Sequence, residues 1–230
     1  MSDSPTVDVR DEFHAEPREA LVPGRMRRPL AYVAEDCGGD LSADLGKWLF
    51  HHEALLRSER GPDDCPAFLW HVPGFEDHAA ELAARVRQAI TSAVTAESLE
   101  AVGVPEFDLG SIELFPVLLH HGCHFGWHDD WIGPDGAPAI TRRVAFDLFL
   151  HTDPKQFTGG MVEFPCGDLI EPDNGSVLLR HPLQAYRIHE VVCRSRETLH
   201  GRWSISGWIH GAPPDGWIER VERLRSIPTI

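Results

Sequence analysis

Two helical hydrophobic patterns occupy the first half of the chain. In residues 41–57 apolar side chains recur at helical spacing, and residues 77–94 repeat that pattern on one face. An extended segment over residues 30–35 precedes the first pattern, and residues 67–71 have the composition of a short strand. These segments predict helices that form a buttress over about residues 40–98.

The second half changes to short apolar runs separated by turns. Residues 112–121 are mostly apolar, and Val144, Phe146, Leu148 and Leu150 alternate with other residues over 143–151. Further strands are predicted at 161–164, 168–171, 176–180, 185–191 and 202–210, with turn signals at Thr158-Gly159-Gly160 and Pro172-Asp173-Asn174-Gly175. This pattern predicts a mainly β fold with flanking helices, in which a sandwich or jelly-roll core spans about residues 110–210.

The length of 230 residues suits one domain with a sizeable core. The first residues are polar and acidic, so we expect a flexible N-terminal arm over 1–25 and a single domain over 26–230. No apolar run approaches the roughly 18 residues of a membrane span, and the N-terminus lacks the apolar core of a signal peptide. A cytoplasmic location is the resulting expectation.

Charge and cysteine usage exclude some classes of function. The chain has 21 basic and 36 acidic side chains, and a net charge of −15 works against nucleic acid or an anionic membrane as a partner. The five cysteines are scattered without a CxxC pair, so neither a zinc ribbon nor a thioredoxin-type site is predicted. A small molecule or a peptide is the expected partner, and the oligomeric state stays open.

The segment Trp127-His128-Asp129-Asp130 contains a candidate pair of metal ligands. At the exit of a strand, residues i and i+2 point to the same side, so His128 and Asp130 can reach one ion. His189, in the run YRIHEV, is the best candidate for a third ligand from a distant strand. Two imidazoles and one carboxylate form the facial triad of non-haem Fe(II) oxygenases. A lone His-x-Asp is more often a surface loop, so the prediction depends on the residues that follow.

Arg202 and Ser204 come thirteen and fifteen residues after His189 and share one face of a predicted strand. A guanidinium group matches a carboxylate in a bidentate pair, and the serine hydroxyl adds a donor. This arrangement suits the distal carboxylate of 2-oxoglutarate. The alternative is that Arg202 forms a buried ion pair with an acid such as Asp147.

With these residues in place, the chain resembles the prolyl 4-hydroxylase-like branch of the 2-oxoglutarate/Fe(II) dioxygenases. The matching segments are HFGWHDD, RRVAFDLFLH, FTGGMVEFP, YRIHEV and GRWSISGW. The resemblance implies a double-stranded β-helix (jelly-roll, cupin-like) core, Fe(II) bound by His128, Asp130 and His189, and 2-oxoglutarate held by Arg202 with Ser204. Many relatives carry a tyrosine about ten residues before the first ligand, where this chain reads Val117-Leu118-Leu119-His120. We consider His120 or His121 as its substitute.

The resemblance implies an oxygenase that uses Fe(II), 2-oxoglutarate and O2 to hydroxylate an unactivated C–H bond of an amino acid, a peptide or a related small molecule, with release of succinate and CO2. Arg142, Arg143 and Arg180 are candidates to receive a substrate carboxylate. Four tryptophans are candidates to line an aromatic pocket, namely Trp70, Trp127, Trp131 and Trp203. The alternatives are a zinc-dependent or other cupin-type hydrolase or isomerase, and a non-catalytic jelly-roll binding module.

Overall fold

The structure, a computed structural model, describes residues 29–35, 37, 40–60, 68–72, 74–132, 138–197 and 200–219. The predicted N-terminal arm, residues 1–25, lies outside the described residues. The helices are α1 (Asp40–His51), α2 (Phe75–His78), α3 (Ala80–Ala93) and α4 (Ala96–Ala101), and a 3-10 turn covers Glu53–Leu55. None of the helices in these ranges is long and apolar enough to cross a membrane.

Thirteen strands are named among the described residues. They are β1 (Ala31–Ala34), β2 (Arg57–Arg60), β3 (Phe68–His71), β4 (Ile112–Leu119), β5 (Phe125–His128), β6 (Arg142–Leu150), β7 (Phe157–Gly159), β8 (Val162–Glu163), β9 (Leu169–Ile170), β10 (Val177–Arg180), β11 (Tyr186–Ile188), β12 (Val191–Cys193) and β13 (Arg202–His210).

Two antiparallel sheets build the core. The larger has seven strands in the spatial order β1-β10-β6-β13-β4-β3-β2, and the smaller has the order β5-β11-β8-β9. β7 and β12 form a separate pair. Strands that are neighbours in space are distant along the chain, because β13 pairs with both β4 and β6. This is the predicted jelly roll, and strands from all parts of the second half therefore meet at its centre.

The seven-stranded sheet is covered on both faces. On one face, Val144, Phe146 and Leu148 belong to the core cluster that includes Leu45 of α1 and Val86 of α3. On the other face, Phe149 and Leu178 pack with Val162, Phe164 and Ile188 of the smaller sheet. As a result every residue of β6 is buried. The predicted helical buttress thus packs on the outside of the sheet.

The first helix is shorter than the predicted residues 41–57. It ends at His51, after which the His52 ring donates from Nδ1 to the Trp48 carbonyl at 2.7 Å and occupies one of the last free helix acceptors. β2 follows, and within the part of the chain that the structure describes it pairs along one side, with β3. Its sequence Arg-Ser-Glu-Arg has no alternation of apolar and polar residues, so the hydrophobic pattern does not indicate a strand. The strand forms through backbone pairing at the edge of the sheet.

Two other predicted elements are divided. The helix expected over residues 77–94 is interrupted at Ala79, whose φ of −143° is not helical, so that α2 and α3 are separate. The strand expected over 185–191 is also two strands, β11 and β12, with His189 and Glu190 between them. Backbone hydrogen bonds from His189 N to Met161 O and from Gly160 N to Glu190 O fill the gap.

We expect the contact between helices and sheet to dominate stability. Leu148→Ala should lower the free energy of unfolding by about 2–5 kcal/mol, because Leu148 is fully buried and the cavity left behind is added to the lost transfer energy. Urea denaturation measures this change. Leu169→Ala, at a side chain that is 49% exposed, is the matched control and should cost less than about 1 kcal/mol. Equal losses would contradict this account of the core.

Candidate functional site

A cavity of about 420 Å³ lies between the two sheets. Both sheets supply its polar groups, which are His128, Asp130, Asp147, Arg180, Tyr186, Arg202, Ser204 and Ser206. Apolar side chains from the same strands complete the wall, among them Phe115, Val117, Phe125, Ile188 and Trp208. Two larger depressions, of about 620 and 600 Å³, lie at α1. The smaller cavity is the candidate site because four of the five site residues predicted from the sequence, His128, Asp130, Arg202 and Ser204, line it.

Arg202 is one of two deeply buried cations that line this cavity, and Arg180 is the other. Its side chain is 1% exposed, and its Nε and Nη2 atoms have no hydrogen-bond partner among the described residues. Its guanidinium carbon lies 4.9 Å from the centre of the Phe149 ring. A buried donor without a partner is costly, so these two nitrogen atoms are arranged for an acceptor that enters the cavity. A carboxylate matches them best.

The Gly159-Gly160 turn makes room for Arg202. Both glycines have positive φ, of 73° and 68°. A Cβ atom on Gly160 would lie 2.7 Å from Arg202 Cδ, and one on Gly159 would lie 2.0 Å from the Glu190 carbonyl oxygen. Side chains at these positions are therefore excluded both by backbone conformation and by space. The turn signal read from the sequence thus has a second role, which is to let the arginine stem pass.

Asp147 does not form the ion pair with Arg202 that we considered from the sequence. Its Oδ2 accepts from Arg180 Nη2 at 2.7 Å, and its Oδ1 accepts from Ser206 Oγ at 2.5 Å. Ser206 Oγ lies 3.0 Å from Ser204 Oγ. Asp147 therefore has its partners, and Arg202 keeps its donors for another acceptor.

His128 and Asp130 both line the cavity. The His128 ring donates from Nδ1 to the Gly126 carbonyl at 2.8 Å, so its Nε2 carries the lone pair that a metal requires. One oxygen of Asp130, Oδ2, accepts from Arg180 Nη1 at 3.3 Å, and Oδ1 lies 3.5 Å from the Tyr186 hydroxyl. The His128 and Tyr186 rings are 4.2 Å apart between centroids. Tyr186 therefore lies next to both His128 and Asp130.

His189 has a different environment. It directly follows β11, the strand that pairs with β5, but it is not among the residues that line the cavity. Its Nε2 lies 2.5 Å from Glu163 Oε2, which also accepts from Arg187 Nη2 at 2.6 Å. Among the described residues, no three side chains of the His, Cys, Asp and Glu types stand close enough together to hold a metal ion. The structure therefore brings together two of the three predicted ligands.

Burial and charge pairing act in opposite directions on the ionisable groups. Burial lowers the pKa of Arg202 and raises the pKa of Tyr186. Burial also opposes the charged form of Arg180, but Asp147 and Asp130 offset it and the net result is a raised pKa. Hydrogen bonds from Arg187, and then from His189, hold the pKa of Glu163 below its usual value. The balance therefore favours the charged form of Arg180 and disfavours that of Arg202.

The other residues singled out in the sequence lie elsewhere. His120 is bonded to the Glu197 carbonyl and His121 to the Cys193 amide, and neither lines the cavity. Arg142 donates to the Asp130 carbonyl, and Arg143 is buried against Trp217. Trp127 is partly exposed, while Trp131 and Trp203 pack in separate apolar clusters, and the side chain of Trp70 is outside the description.

Ser206, Trp208 and Tyr186 are among the cavity residues that the sequence analysis did not predict as site residues. Ser206 and Trp208 continue the two-residue step of Arg202 and Ser204 along β13, so extending the alternation along the strand would have found them. Tyr186 is one of only two tyrosines in the chain, but nothing in the local pattern indicates that it turns toward Asp130. That contact depends on the pairing of β11 with β5.

These observations test the fit of a metal and a 2-oxo acid. Arg202 has free buried donors and Ser204 a hydroxyl on the same strand face, which fits the distal carboxylate of 2-oxoglutarate. His128 and Asp130 offer an imidazole nitrogen and a carboxylate to a metal in the same cavity. His189 joins them only if its side chain leaves Glu163.

Comparison with known proteins points to one group. Residues 115–210 match the sequence model of the 2OG-Fe(II) oxygenase superfamily. A protein of Synechocystis sp. named as an uncharacterized PKHD-type hydroxylase is 25% identical over 148 residues, which are 59% of this chain and 48% of the relative. The match thus spans about half the length of that curated relative.

Solved structures share the fold. The non-heme alpha ketoglutarate dependent epimerase SnoN from nogalamycin biosynthesis superposes with a TM-score of 0.52 and 16% identity, over 90% of this chain and 89% of that one. OsALKBH1 gives a TM-score of 0.51 with 11% identity, over 79% of this chain and 98% of its own. Identities this low establish the architecture and nothing further about activity.

The contact between Gly160 and Arg202 predicts a specific defect. Gly160→Ala should raise the dissociation constant of 2-oxoglutarate, titrated by calorimetry with Mn(II) present, at least roughly tenfold, because the displaced guanidinium loses a charged hydrogen bond worth about 1.5–3 kcal/mol. Gly167→Ala is the matched control, since Gly167 also has positive φ, of 91°, but has no atom within 4 Å of the added Cβ. The same affinity in both variants would refute the clash.

Proposed function

We propose, from the match of residues 115–210 to the sequence model of the 2OG-Fe(II) oxygenase superfamily, that the protein is an Fe(II)- and 2-oxoglutarate-dependent hydroxylase. The observation that carries the proposal is the buried guanidinium of Arg202, whose Nε and Nη2 lack a partner inside the cavity. The name of the Synechocystis relative supports hydroxylation as the outcome.

In this proposal His128, Asp130 and His189 hold the iron. His128 and Asp130 support this assignment because they line the same cavity as Arg202. His189 supports it because it lies at the end of the strand that pairs with β5. Binding by His189 requires that its Nε2 gives up the contact with Glu163. Tyr186 contacts Asp130, so its substitution tests whether a residue next to the ligands is itself needed for metal binding.

Arg202 and Ser204 bind the distal carboxylate of 2-oxoglutarate. When bound, Fe(II) with 2-oxoglutarate and O2 supplies the oxidising power to insert oxygen into a C–H bond, with succinate and CO2 as the other products. The protein positions the reacting groups and excludes water from them, because the apolar side chains of Val117, Phe125 and Ile188 line the cavity from both sheets.

The charges of the cavity limit the substrate group that enters it. Asp147 is paired with Arg180, and Asp130 and Arg202 are the remaining carboxylate and guanidinium. A divalent metal and the dianion 2-oxoglutarate leave the formal charge at zero. We therefore propose that the reacting carbon belongs to an uncharged, apolar group of a small molecule or peptide, which packs against Phe115 and Trp208.

The test of the proposed function is an anaerobic titration of the metal-free protein with Fe(II) and 2-oxoglutarate. We expect a visible charge-transfer band that is lost in His128→Ala, Asp130→Ala and His189→Ala, since each removes a ligand. Arg202→Ala should keep the band but require at least roughly tenfold more 2-oxoglutarate. Tyr186→Phe is the matched control beside the ligands and should keep the band.

Other outcomes favour other functions. A folded protein that gives no band but hydrolyses or isomerises a substrate with Zn(II) supports the metal-dependent hydrolase or isomerase. A protein that binds neither metal nor 2-oxoglutarate supports the non-catalytic binding module. A band that survives in His189→Ala but disappears in Tyr186→Phe would overturn the assignment of the third ligand.

The substrate proposal has its own test. In a screen for succinate release, we expect stimulation by compounds with an uncharged aliphatic group at the reacting end, and none by analogues that carry a carboxylate or an ammonium group there. The reason is the cost of burying an unpaired charge beside Asp147 and Arg180. Equal stimulation by charged and uncharged analogues would contradict it.

A further inference from the structure

Arg180 connects the two sheets at the candidate metal site. It ends β10 in the seven-stranded sheet and is 2% exposed. Its Nη2 donates to Asp147 Oδ2 at 2.7 Å, and its Nη1 donates to Asp130 Oδ2 at 3.3 Å. Its guanidinium carbon lies 3.8 Å from the centre of the Tyr186 ring. Two carboxylates and one aromatic face therefore determine where the guanidinium plane lies.

Asp147 is the second carboxylate that accepts a hydrogen bond from Arg180. It lies on β6 with 5% exposure, and its second oxygen accepts from Ser206 Oγ of β13 at 2.5 Å. Ser206 in turn lies 3.0 Å from Ser204 Oγ. One chain of hydrogen bonds thus runs from Asp130, through Arg180, Asp147 and Ser206, to the serine beside Arg202.

A purely structural role does not account for this series of hydrogen bonds. A buried ion pair contributes little to stability compared with apolar residues of similar volume, so the Asp147–Arg180 pair is not required to join β6 to β10. Those strands already pair along their backbones. The distinctive contact is the one to Asp130, which lies 50 residues away in sequence, just after β5.

Asp130 depends on Arg180 for its side-chain orientation. The Asp130 backbone amide is held by the Pro182 carbonyl at 3.0 Å, but this bond does not determine the side-chain rotamer. The other side-chain contact, with the Tyr186 hydroxyl, is at 3.5 Å, the outer limit for a hydrogen bond. Among the described residues, the buried and charged Arg180 guanidinium, at 3.3 Å, is therefore the stronger of the two side-chain partners of Asp130.

We propose that Arg180 is the positioning residue for the Asp130 carboxylate, and that Asp147 and Ser206 hold Arg180 in the place where it can act. This inference rests on the proposed function, in which Asp130 binds the metal. Groups that orient metal ligands in this way typically change the metal affinity by about 10- to 100-fold.

The test measures metal binding rather than turnover. In the double variant Asp147→Leu/Arg180→Met both charges of the buried pair are replaced by apolar side chains, and Asp130 loses its guanidinium contact. We expect it to fold, and to bind Mn(II) roughly 10- to 100-fold more weakly than the wild type, with a broadened Mn(II) electron paramagnetic resonance spectrum. Ser206→Ala should shift the dissociation constant in the same direction by a smaller factor.

The matched control is Asp44→Leu/Arg85→Met. It removes the ion pair between α1 and α3, far from the cavity, with the same chemical change. We expect wild-type Mn(II) affinity and an unchanged spectrum in this control. A loss of affinity in both double variants would indicate a general effect of such replacements and would overturn the proposal.

The remaining outcomes are also decisive. If Asp147→Leu/Arg180→Met binds Mn(II) as the wild type does, Arg180 does not position Asp130 and the inference fails alone. If the double variant does not fold, Arg180→Lys decides, because lysine keeps the charge but cannot donate to two carboxylates in the same geometry. Wild-type affinity in Arg180→Lys would overturn the inference. If the wild type itself binds no metal, the proposed function fails and this inference with it.

Discussion

The covering of β6 and β13 on both faces is the constraint on which the rest of the structure depends. Along a strand, neighbouring side chains point to opposite faces, so each residue of β13 belongs either to the helix-packed core or to the cavity. Trp203 and Ile205 lie in the helix-packed cluster, whereas Arg202 and Ser204 line the cavity. A slip of one residue would place the arginine among the leucines of the core. The apolar packing therefore determines the register of the polar groups on the opposite face.

The interior of the jelly roll carries charges because most of them are compensated. Asp147 accepts hydrogen bonds from Arg180 and Ser206, and the two charges of the ion pair cancel. Among the described residues, Arg143 and Arg180 also have buried donors without a partner, and Arg202 has two such donors at the cavity. An unsatisfied buried group costs about 1–3 kcal/mol, and more when it is charged. A ligand carboxylate that accepts from it removes that cost, which makes the empty donors a binding determinant.

The two halves of the candidate site are held differently. Ser204 and Asp147 lie inside strands with backbone pairing on both sides, and Arg202 begins β13, where it pairs with Leu119 of β4. Asp130 and His189 instead follow the ends of β5 and β11, where the ladder stops. Residues at strand ends depend on side-chain partners for their orientation, as Asp130 does on Arg180 and His189 on Glu163. The Arg202 side of the cavity therefore has more backbone pairing than the Asp130 side.

The sequence by itself determined the elements that follow from local periodicity. The alternation over residues 143–151 and 202–210 predicted β6 and β13, and the two-residue step predicted that Arg202 and Ser204 share a face. Only the tertiary structure decided the partners: Asp147 with Arg180 rather than Arg202, Gly160 against the Arg202 stem, and His189 against Glu163. The edge strand β2 and the division of residues 185–191 also came only from pairing between strands. The physical reason is that periodicity reports which face a side chain occupies, whereas its partner on that face comes from strands far away in the chain.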